Sequence, residues 1–154
     1  VTFIGDGNNV SSSLALACSL VGANFIYSSP ENYKIPEGIW EIAKRYSNRS
    51  GSSISWTNSP QEATQNSDVV YTDVWASMGQ KDEAEMREKI FQPFQVNGDL
   101  MAATGKNTLF MHCLPAERGR EVTDEVIEAD YSIVFEQAEN RLHVQNAIMV
   151  TLAG

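Results

Sequence analysis

Short apolar runs alternate along this sequence with segments of helical periodicity, and this alternation constrains the fold more than any other feature. The predicted strands cover residues 1–4, 24–27, 54–57, 68–72, 108–111 and 132–135. Between them, apolar residues recur every three or four positions, the spacing of one face of a helix. Strands separated by helices form a parallel sheet with helices packed on both faces. We therefore predict one α/β domain over residues 1–154, a Rossmann-like, doubly wound, three-layer α/β/α fold.

The handedness of the connections predicts the order of the strands. Right-handed crossovers allow the order 3-2-1-4-5, with the short sixth strand beyond the fifth or at the edge. In this order the direction of winding reverses between the first and fourth strands, and such sheets bind ligands at the carboxyl ends of strands beside the reversal. The loops at residues 6–9, 73–80 and 112–115 follow strands there. We expect the functional residues to lie in these three loops.

Charge and composition exclude several classes of function. The 154 residues carry a formal charge of −9, which argues against a nucleic-acid or anionic-membrane partner. No apolar run is long enough to span a bilayer, and no basic segment of a signal peptide precedes one. The two cysteines and two histidines have no metal-ligand spacing, so we predict no metal and a reducing, cytoplasmic setting. The sequence starts inside a predicted strand without Met, so we expect an amino-terminal portion to be missing.

The first loop, G-D-G-N-N at residues 5–9, suggests a dinucleotide site but departs from that pattern. Val10 occupies the position of the third glycine of the dinucleotide-binding motif G-x-G-x-x-G. In that motif an acidic residue at the end of the second strand binds the ribose, and Ser28 occupies its position here. A tight glycine turn capped by asparagine is one alternative. The other is that Asn8 or Asn9, at the start of a helix, makes hydrogen bonds to a polar substrate. A nucleotide-binding module remains a rival hypothesis.

The second loop, D-V-W-A-S-M-G-Q at residues 73–80, has a composition that packing alone explains poorly. Asp73 follows a strand and could pair with an ammonium group, or it could simply cap a turn. We expect the aromatic Trp75 to be exposed. The charged segment 82–91 that follows is predicted to form a helix with a solvated face.

The third loop brings an imidazole and a thiol to the end of the fifth strand. Adjacent residues of an extended segment point to opposite faces, so His112 and Cys113 are not expected to form a nucleophile–base pair. A buried, purely structural Cys113 is the alternative. Arg141 falls near the start of a closing helix predicted from Glu139, where it either forms an exposed ion pair or binds a phosphate.

Taken together, four motifs closely resemble ornithine carbamoyltransferases. The motifs are G-D-G-N-N at 5–9, D-V-W-A-S-M-G-Q at 73–80, H-C-L-P at 112–115 and E-Q-A-E-N-R at 136–141. Their order and spacing match the second, ornithine-binding domain of that family over essentially the whole chain. The aspartate-specific relative lacks both the S-M-G loop and the cysteine.

The resemblance implies a role for individual residues. Four of them match positions that hold ornithine: Asn9, Asp73, Ser77 and Met78. Cys113 matches the catalytic cysteine, and with the backbone of Leu114 it lines the meeting point of the two substrates. Arg141 matches an arginine that contacts carbamoyl phosphate. His112 and Asn8 are further candidates beside these positions.

The resemblance also implies a reaction without a metal or other cofactor. The δ-amine of ornithine would attack carbamoyl phosphate to give citrulline and phosphate, with Cys113 as a base or charge partner and a carbamoyl-cysteine as the lesser alternative. The family's phosphate-binding motifs, S-T-R-T-R and H-P-x-Q, do not occur in this sequence. We therefore expect the chain alone to be inactive or nearly so. The resemblance also implies that the full-length protein is a homotrimer or a multiple of it. An enzyme for putrescine or acylated ornithine, and a silent scaffold, remain alternatives.

Overall fold

A five-stranded, fully parallel sheet forms the centre of the computed structural model, which describes residues 1–76 and 84–154. The strands are β1 Thr2–Ile4, β2 Phe25–Ser28, β3 Ile54–Thr57, β4 Val69–Thr72 and β5 Leu109–His112. Their order is β3-β2-β1-β4-β5, which confirms the predicted topology and the reversal of winding between β1 and β4.

Helices cover both faces of the sheet. They are α1 Asn9–Val21, α2 Glu37–Ser50, α3 Pro60–Thr64, α4 Ala84–Phe91, α5 Gly98–Ala102, α6 Asp124–Ile127 and α7 Val134–Ala153. Short 3-10 turns lie at Glu31–Tyr33 and Gln92–Phe94. In the described part of the chain, no helix combines the length and apolar character that a bilayer crossing requires.

Two hydrophobic cores lie on opposite faces of the sheet, and the alternation of side chains along each strand assigns residues to them. In β4, Val70 belongs to the core under α5 and α6, whereas Tyr71 belongs to the core under α1 and α2. In β5, Phe110 and Met111 divide in the same way. Continuing this alternation sends His112 to the first face and Cys113 to the second.

The predicted sixth strand at residues 132–135 is wrong. Within the described parts of the chain, a single bridge joins this segment to the sheet, between Phe110 and Ser132. At Val134 the chain already enters α7, five residues earlier than the predicted start of the closing helix at Glu139. The apolar run was ambiguous because a short buried segment has no periodicity that separates strand from helix. Val134 is buried while Phe135 is 63% exposed, which fits one face of a helix.

Candidate functional site

The Asp73 carboxylate joins the three loops at the carboxyl edge of the sheet. Its Oδ2 accepts a hydrogen bond of 2.7 Å from Nδ2 of Asn8, which precedes α1. Its Oδ1 accepts bonds from the Sγ of Cys113 at 2.9 Å and from the backbone N–H of Val74 at 2.8 Å. We call Asn8, Asp73 and Cys113 the acid–thiol cluster. Asp73 is only 8% exposed, so this carboxylate is stabilised by donors rather than by bulk water.

Asn8 is held in position by the helix that it caps. Its Oδ1 accepts hydrogen bonds from the backbone N–H groups of Val10 and Ser11 at 2.9 and 3.1 Å. Because the oxygen is committed to the helix, the amide nitrogen points to Asp73. The asparagine-capped turn that was one alternative for this loop is therefore present. Asn9 is exposed at the first position of α1, outside the acid–thiol cluster.

Burial and Asp73 together keep Cys113 in its neutral form. Burial makes the largest contribution, followed by the hydrogen bond to Asp73 and the negative charge of that carboxylate, and they raise the pKa of the Cys113 thiol to about 12. The thiolate is the reactive form of cysteine as a nucleophile. In this state of the site, Cys113 is therefore a hydrogen-bond donor rather than an activated nucleophile.

His112 points away from the cluster, as the alternation of an extended segment predicted. Its ring is fully buried, and Nδ1 accepts a hydrogen bond of 2.9 Å from the backbone N–H of Leu114. Nε2 lies 3.4 Å from Oε1 of Glu121, which is also fully buried. His112 and Cys113 are thus not a nucleophile–base pair. Leu114 has a positive φ of 54°, which costs a residue other than glycine about 1–2 kcal/mol.

The expectation that Trp75 is exposed is wrong. Its side chain is 4% exposed and stacks on Phe91 of α4, with 5.9 Å between the ring centroids. The solvated face predicted for residues 82–91 is also incorrect in part, because Arg87 is 4% exposed. Arg87 donates from Nε to the Trp75 carbonyl at 2.7 Å and forms an ion pair with Asp6.

Asp6 reaches this ion pair from the first loop. Burial raises the pKa of the Asp6 carboxyl, and the neighbouring Arg87 opposes that shift. The pair connects the β1–α1 loop to α4. The binding residues Ser77 and Met78, predicted between Trp75 and α4, lie outside the described residues.

α7 contributes Gln137 to the edge of the site. Its Oε1 accepts the backbone N–H of His112 at 3.1 Å, and its Nε2 donates to the hydroxyl of Tyr71 at 2.8 Å. Burial is the main cause of the raised pKa of Tyr71, and the neighbouring Cys113 adds to that rise. Arg141 lies one helical turn after Gln137 and is exposed. The phosphate-binding role of Arg141 stays a prediction.

Several residues that support the site could not be assigned a role from the sequence: Asp6, Tyr71, Arg87, Glu121 and Gln137. One signal was available for Arg87, since it stands four positions before Phe91 and therefore shares its helix face. Gln137 lies within the E-Q-A-E-N-R motif, but the resemblance assigned it no role. Among the described residues, no group of three or more His, Cys, Asp and Glu side chains is placed to hold a metal ion.

The sequence matches a known protein family over nearly its whole length. Residues 1–152 match the family described as aspartate/ornithine carbamoyltransferase, Asp/Orn binding domain. The ornithine carbamoyltransferase of Methanopyrus kandleri is 47% identical over all 154 residues, which cover 49% of that protein. The anabolic ornithine carbamoyltransferase of Pyrococcus furiosus is 49% identical over the whole chain, again covering 49% of the relative.

Solved structures agree with the sequence comparison. The ornithine carbamoyltransferase structure from Pyrococcus furiosus superposes with a TM-score of 0.92, covering 96% of this chain and 47% of that one. An N-acetyl-L-ornithine transcarbamylase structure is 31% identical with a TM-score of 0.84, covering 98% of this chain and 48% of that one. The chain spans about half the length of the curated relatives that it matches. By fold and sequence, this chain belongs to the aspartate/ornithine carbamoyltransferase family, whose Asp/Orn binding domain it matches.

Proposed function

We propose that residues 1–154 are the ornithine-binding domain of an ornithine carbamoyltransferase. The complete enzyme would transfer the carbamoyl group of carbamoyl phosphate to the δ-amine of L-ornithine, giving citrulline and phosphate. The acid–thiol cluster is the observation that carries this proposal. It joins an amide, a carboxylate and a thiol from three separate loops at the switch point of the sheet, where doubly wound folds bind small molecules.

Asp73 supplies the recognition of the amino acid in this proposal. A carboxylate that is 8% exposed attracts an ammonium group more strongly than one in bulk water, because the surrounding dielectric constant is lower. Asn8 holds this carboxylate from one side and leaves Asn9 at the adjacent helix start. We assign Asp73 to the α-ammonium of ornithine, with Asn9, Ser77 and Met78 as its further binding residues.

The reaction requires a neutral δ-amine. A free alkylammonium has a pKa of about 10.4, so the site has to favour loss of one proton before attack. The amine nitrogen then bonds to the carbamoyl carbon, and the bond from that carbon to the bridging phosphate oxygen breaks. The second amine proton leaves with phosphate. Positioning of the two substrates and stabilisation of the oxyanion supply the catalysis, without a cofactor.

Cys113 acts in this scheme as a charge-sensitive partner of the amine. A thiol with a pKa of about 12 is protonated at neutral pH, which argues against a carbamoyl-cysteine intermediate. Part of that rise comes from the charge of Asp73. An ammonium group bound to Asp73 offsets this charge, so ornithine binding itself makes the thiol more acidic and a better hydrogen-bond partner for the δ-amine. The Leu114 backbone beside it would face carbamoyl phosphate, as would Arg141.

Turnover, assembly and location are proposed for the complete protein. Its amino-terminal half would supply the phosphate-binding residues, so we expect the 154-residue chain alone to make no citrulline. We propose a homotrimer, or a multiple of one, as its assembly. A cytoplasmic location suits its two free cysteines, Cys18 and Cys113.

The decisive experiment joins this chain to the amino-terminal half of the Pyrococcus furiosus relative and measures citrulline formation from ornithine and carbamoyl phosphate. We expect turnover that Cys113→Ala lowers about 10²-fold to 10⁴-fold. Cys18→Ala is the matched control, because Cys18 is packed in the core under α1 and α2. No turnover by a folded chimera, or full turnover by Cys113→Ala, would contradict the proposal.

One comparison supports a second amine as the alternative substrate. The structural similarity to an N-acetyl-L-ornithine transcarbamylase keeps an acylated ornithine as the alternative substrate. The same assay with N-acetylornithine and with putrescine separates the candidates, because acylation removes the α-ammonium that Asp73 would bind. We expect ornithine to be preferred. Binding of NAD to the chain, measured by calorimetry, would instead support the nucleotide-binding alternative.

A further inference from the structure

A cavity of about 210 Å³ lies beside β2 and β3, apart from the acid–thiol cluster. It is smaller than the pockets of about 300–1,000 Å³ that hold drug-sized ligands, so its size suits a molecule as small as an amino acid. Two of the three tryptophans of the chain line it. Three aromatic side chains form its walls and three exposed, charged side chains form its rim: Tyr27, Trp40, Trp56, Lys34, Glu37 and Lys44.

The aromatic walls of this cavity are held in place by hydrogen bonds. Tyr27 and Trp56 are paired across β2 and β3, so their side chains lie on the same face of the sheet. The Tyr27 hydroxyl donates to the carbonyl of Tyr33 at 2.6 Å, and Nε1 of Trp56 donates to Oγ of the buried Ser29 at 3.0 Å. The polar ends of both rings therefore have partners, and their apolar surfaces are left to line the cavity.

Helix α2 supplies a third ring between two opposite charges. Glu37, Trp40 and Lys44 are spaced by three and four positions, so they share one face of the helix. The Trp40 ring lies against Tyr27, with 6.4 Å between the centroids and an angle of 49° between the planes. The cavity thus has a carboxylate at the start of α2 and an ammonium group about two turns further along.

Both lysines of the rim remain able to bind an anion. Nζ of Lys34 lies 3.6 Å from the centroid of the Trp56 ring and 2.5 Å from a carboxylate oxygen of Glu31. Lys44 pairs with Glu41 at 2.7 Å. Exposed ion pairs of this kind add little stability, and an ammonium group has three donors. Each lysine can therefore bind a further carboxylate.

The two signs of charge on the rim select a zwitterion. A ligand that is only a cation is repelled by Lys34 and Lys44, and one that is only an anion is repelled by Glu37. An α-amino acid carries both charges on adjacent groups. The aromatic walls favour a flat, apolar side chain on that amino acid, because rings stack on one another with little polar cost.

We propose that this cavity is a second ligand site, which binds a free aromatic amino acid. Its ring packs among Tyr27, Trp40 and Trp56, its carboxylate binds Lys34 and Lys44, and its α-ammonium binds Glu37. We call these six residues the aromatic site. It uses no residue of the acid–thiol cluster, so it stands or falls independently of the proposed function.

The first experiment titrates the 154-residue chain with L-phenylalanine and follows the indole N–H signals by nuclear magnetic resonance. We expect Trp40 and Trp56 to shift with a Kd of about 1 mM, the range for a ligand of this size. Trp75 is the internal control, because it is 4% exposed and stacks on Phe91. No saturable shift of Trp40 and Trp56 up to about 20 mM, or equal shifts of all three indoles, would overturn the site.

The second experiment removes one group of the ligand at a time. Alanine lacks the ring and should bind about 10-fold or more weakly than phenylalanine, as expected for loss of stacking. Phenethylamine lacks the carboxylate and 3-phenylpropanoate lacks the ammonium, and each should bind about twofold to fivefold more weakly. Affinities equal to that of phenylalanine for either of these two analogues would contradict a zwitterion site.

The third experiment assigns the charges to residues. In Glu37→Gln, the preference for phenylalanine over 3-phenylpropanoate should disappear, and in Lys44→Gln the preference over phenethylamine should shrink. Arg49→Gln is the matched control, an exposed position on another face of α2 that should leave both preferences unchanged. All three side chains are exposed, so the variants should fold, which their amide spectra would verify. Preferences that persist in both Glu37→Gln and Lys44→Gln would refute the assignment.

Discussion

Asp73 determines the chemical state of the residue beside it. Its carboxylate accepts hydrogen bonds from Asn8, Val74 and Cys113. The same negative charge that attracts an ammonium group also opposes ionisation of the thiol. Recognition of the amine and control of the thiol are thus coupled through one side chain.

Removing the charge of Asp73 should therefore make Cys113 more reactive. We expect Asp73→Asn to lower the pKa of Cys113 from about 12, and each unit of that fall raises the thiolate fraction at pH 8 about tenfold. Iodoacetamide labelling, followed by peptide mass spectrometry, measures the rate at Cys113 against Cys18 in the same molecule. Asp68→Asn is the control, because that side chain is 84% exposed at the opposite end of β4. An unchanged Cys113 rate in Asp73→Asn would refute the coupling.

Gly7 shows how closely the first loop is packed. Its N–H donates to the carbonyl of Tyr33 at 2.8 Å, and a Cβ at this position would overlap the backbone of Lys34. We expect Gly7→Ala to lower the free energy of unfolding by about 1–3 kcal/mol, because backbone has to move. Gly38 has open space around it in α2, so Gly38→Ala should stabilise the protein by about 0.5–1 kcal/mol. Urea denaturation measures both, and equal effects would contradict this account.

At the level of elements, α7 is attached to the sheet mainly near its start. Val134 is buried, whereas apolar residues further along are exposed, among them Leu142 at 60% and Leu152 at 82%. Gln137 joins α7 to β5 through His112 and to β4 through Tyr71. Arg141 lies one helical turn after Gln137, so this contact helps to fix the position of Arg141 relative to the acid–thiol cluster.

Loss of the Gln137 anchor should loosen the end of β5. We expect Gln137→Ala to cost about 1–3 kcal/mol of stability, because it leaves the His112 N–H without its acceptor. Gln145→Ala, an exposed position two turns further along α7, should change stability by less than about 0.5 kcal/mol. Denaturant unfolding gives the stabilities, and amide exchange at His112 reports the local opening. Unchanged exchange at His112 in Gln137→Ala would argue against the anchor.

For the whole molecule, buried thiols and phenols make stability sensitive to alkaline pH. Burial is the main cause of the raised pKa of Cys18, Cys113, Tyr27 and Tyr71. Each group keeps its proton in the folded protein at a pH where the unfolded chain has released it. The unfolded state then binds fewer protons than the folded state, so the free energy of unfolding falls as pH rises.

The free energy of unfolding should begin to fall at the pH where these groups ionise in the unfolded chain, near 9.0 for the thiols and 10.0 for the tyrosines. The slope contributed by each group is at most about 1.4 kcal/mol per pH unit. Urea denaturation between pH 7 and pH 11 measures it. Cys113→Ser should flatten the curve between pH 9 and pH 10, because a serine hydroxyl does not ionise there. Stability that is constant up to pH 11 would contradict the raised pKa values.

Local patterns in the sequence determined the architecture of this protein. The alternation of strands and helices, together with the right-handed crossovers, is enough for the order 3-2-1-4-5 and for the edge at which the loops meet. The period of two along β5 is enough to separate His112 from Cys113. The cap at Asn8 and the turn around Gly7 follow from residue types that favour those backbone conformations.

Tertiary structure alone decided which groups meet and in which chemical state. Asn8 and Asp73 are 65 positions apart, and Arg87 and Asp6 are 81 apart, so no local pattern could reveal either pair. Burial of Trp75, the pairing of Glu121 with His112 and the protonated thiol of Cys113 likewise depend on neighbours from other elements. A pKa reflects desolvation and nearby charge, and both exist only once the chain has packed.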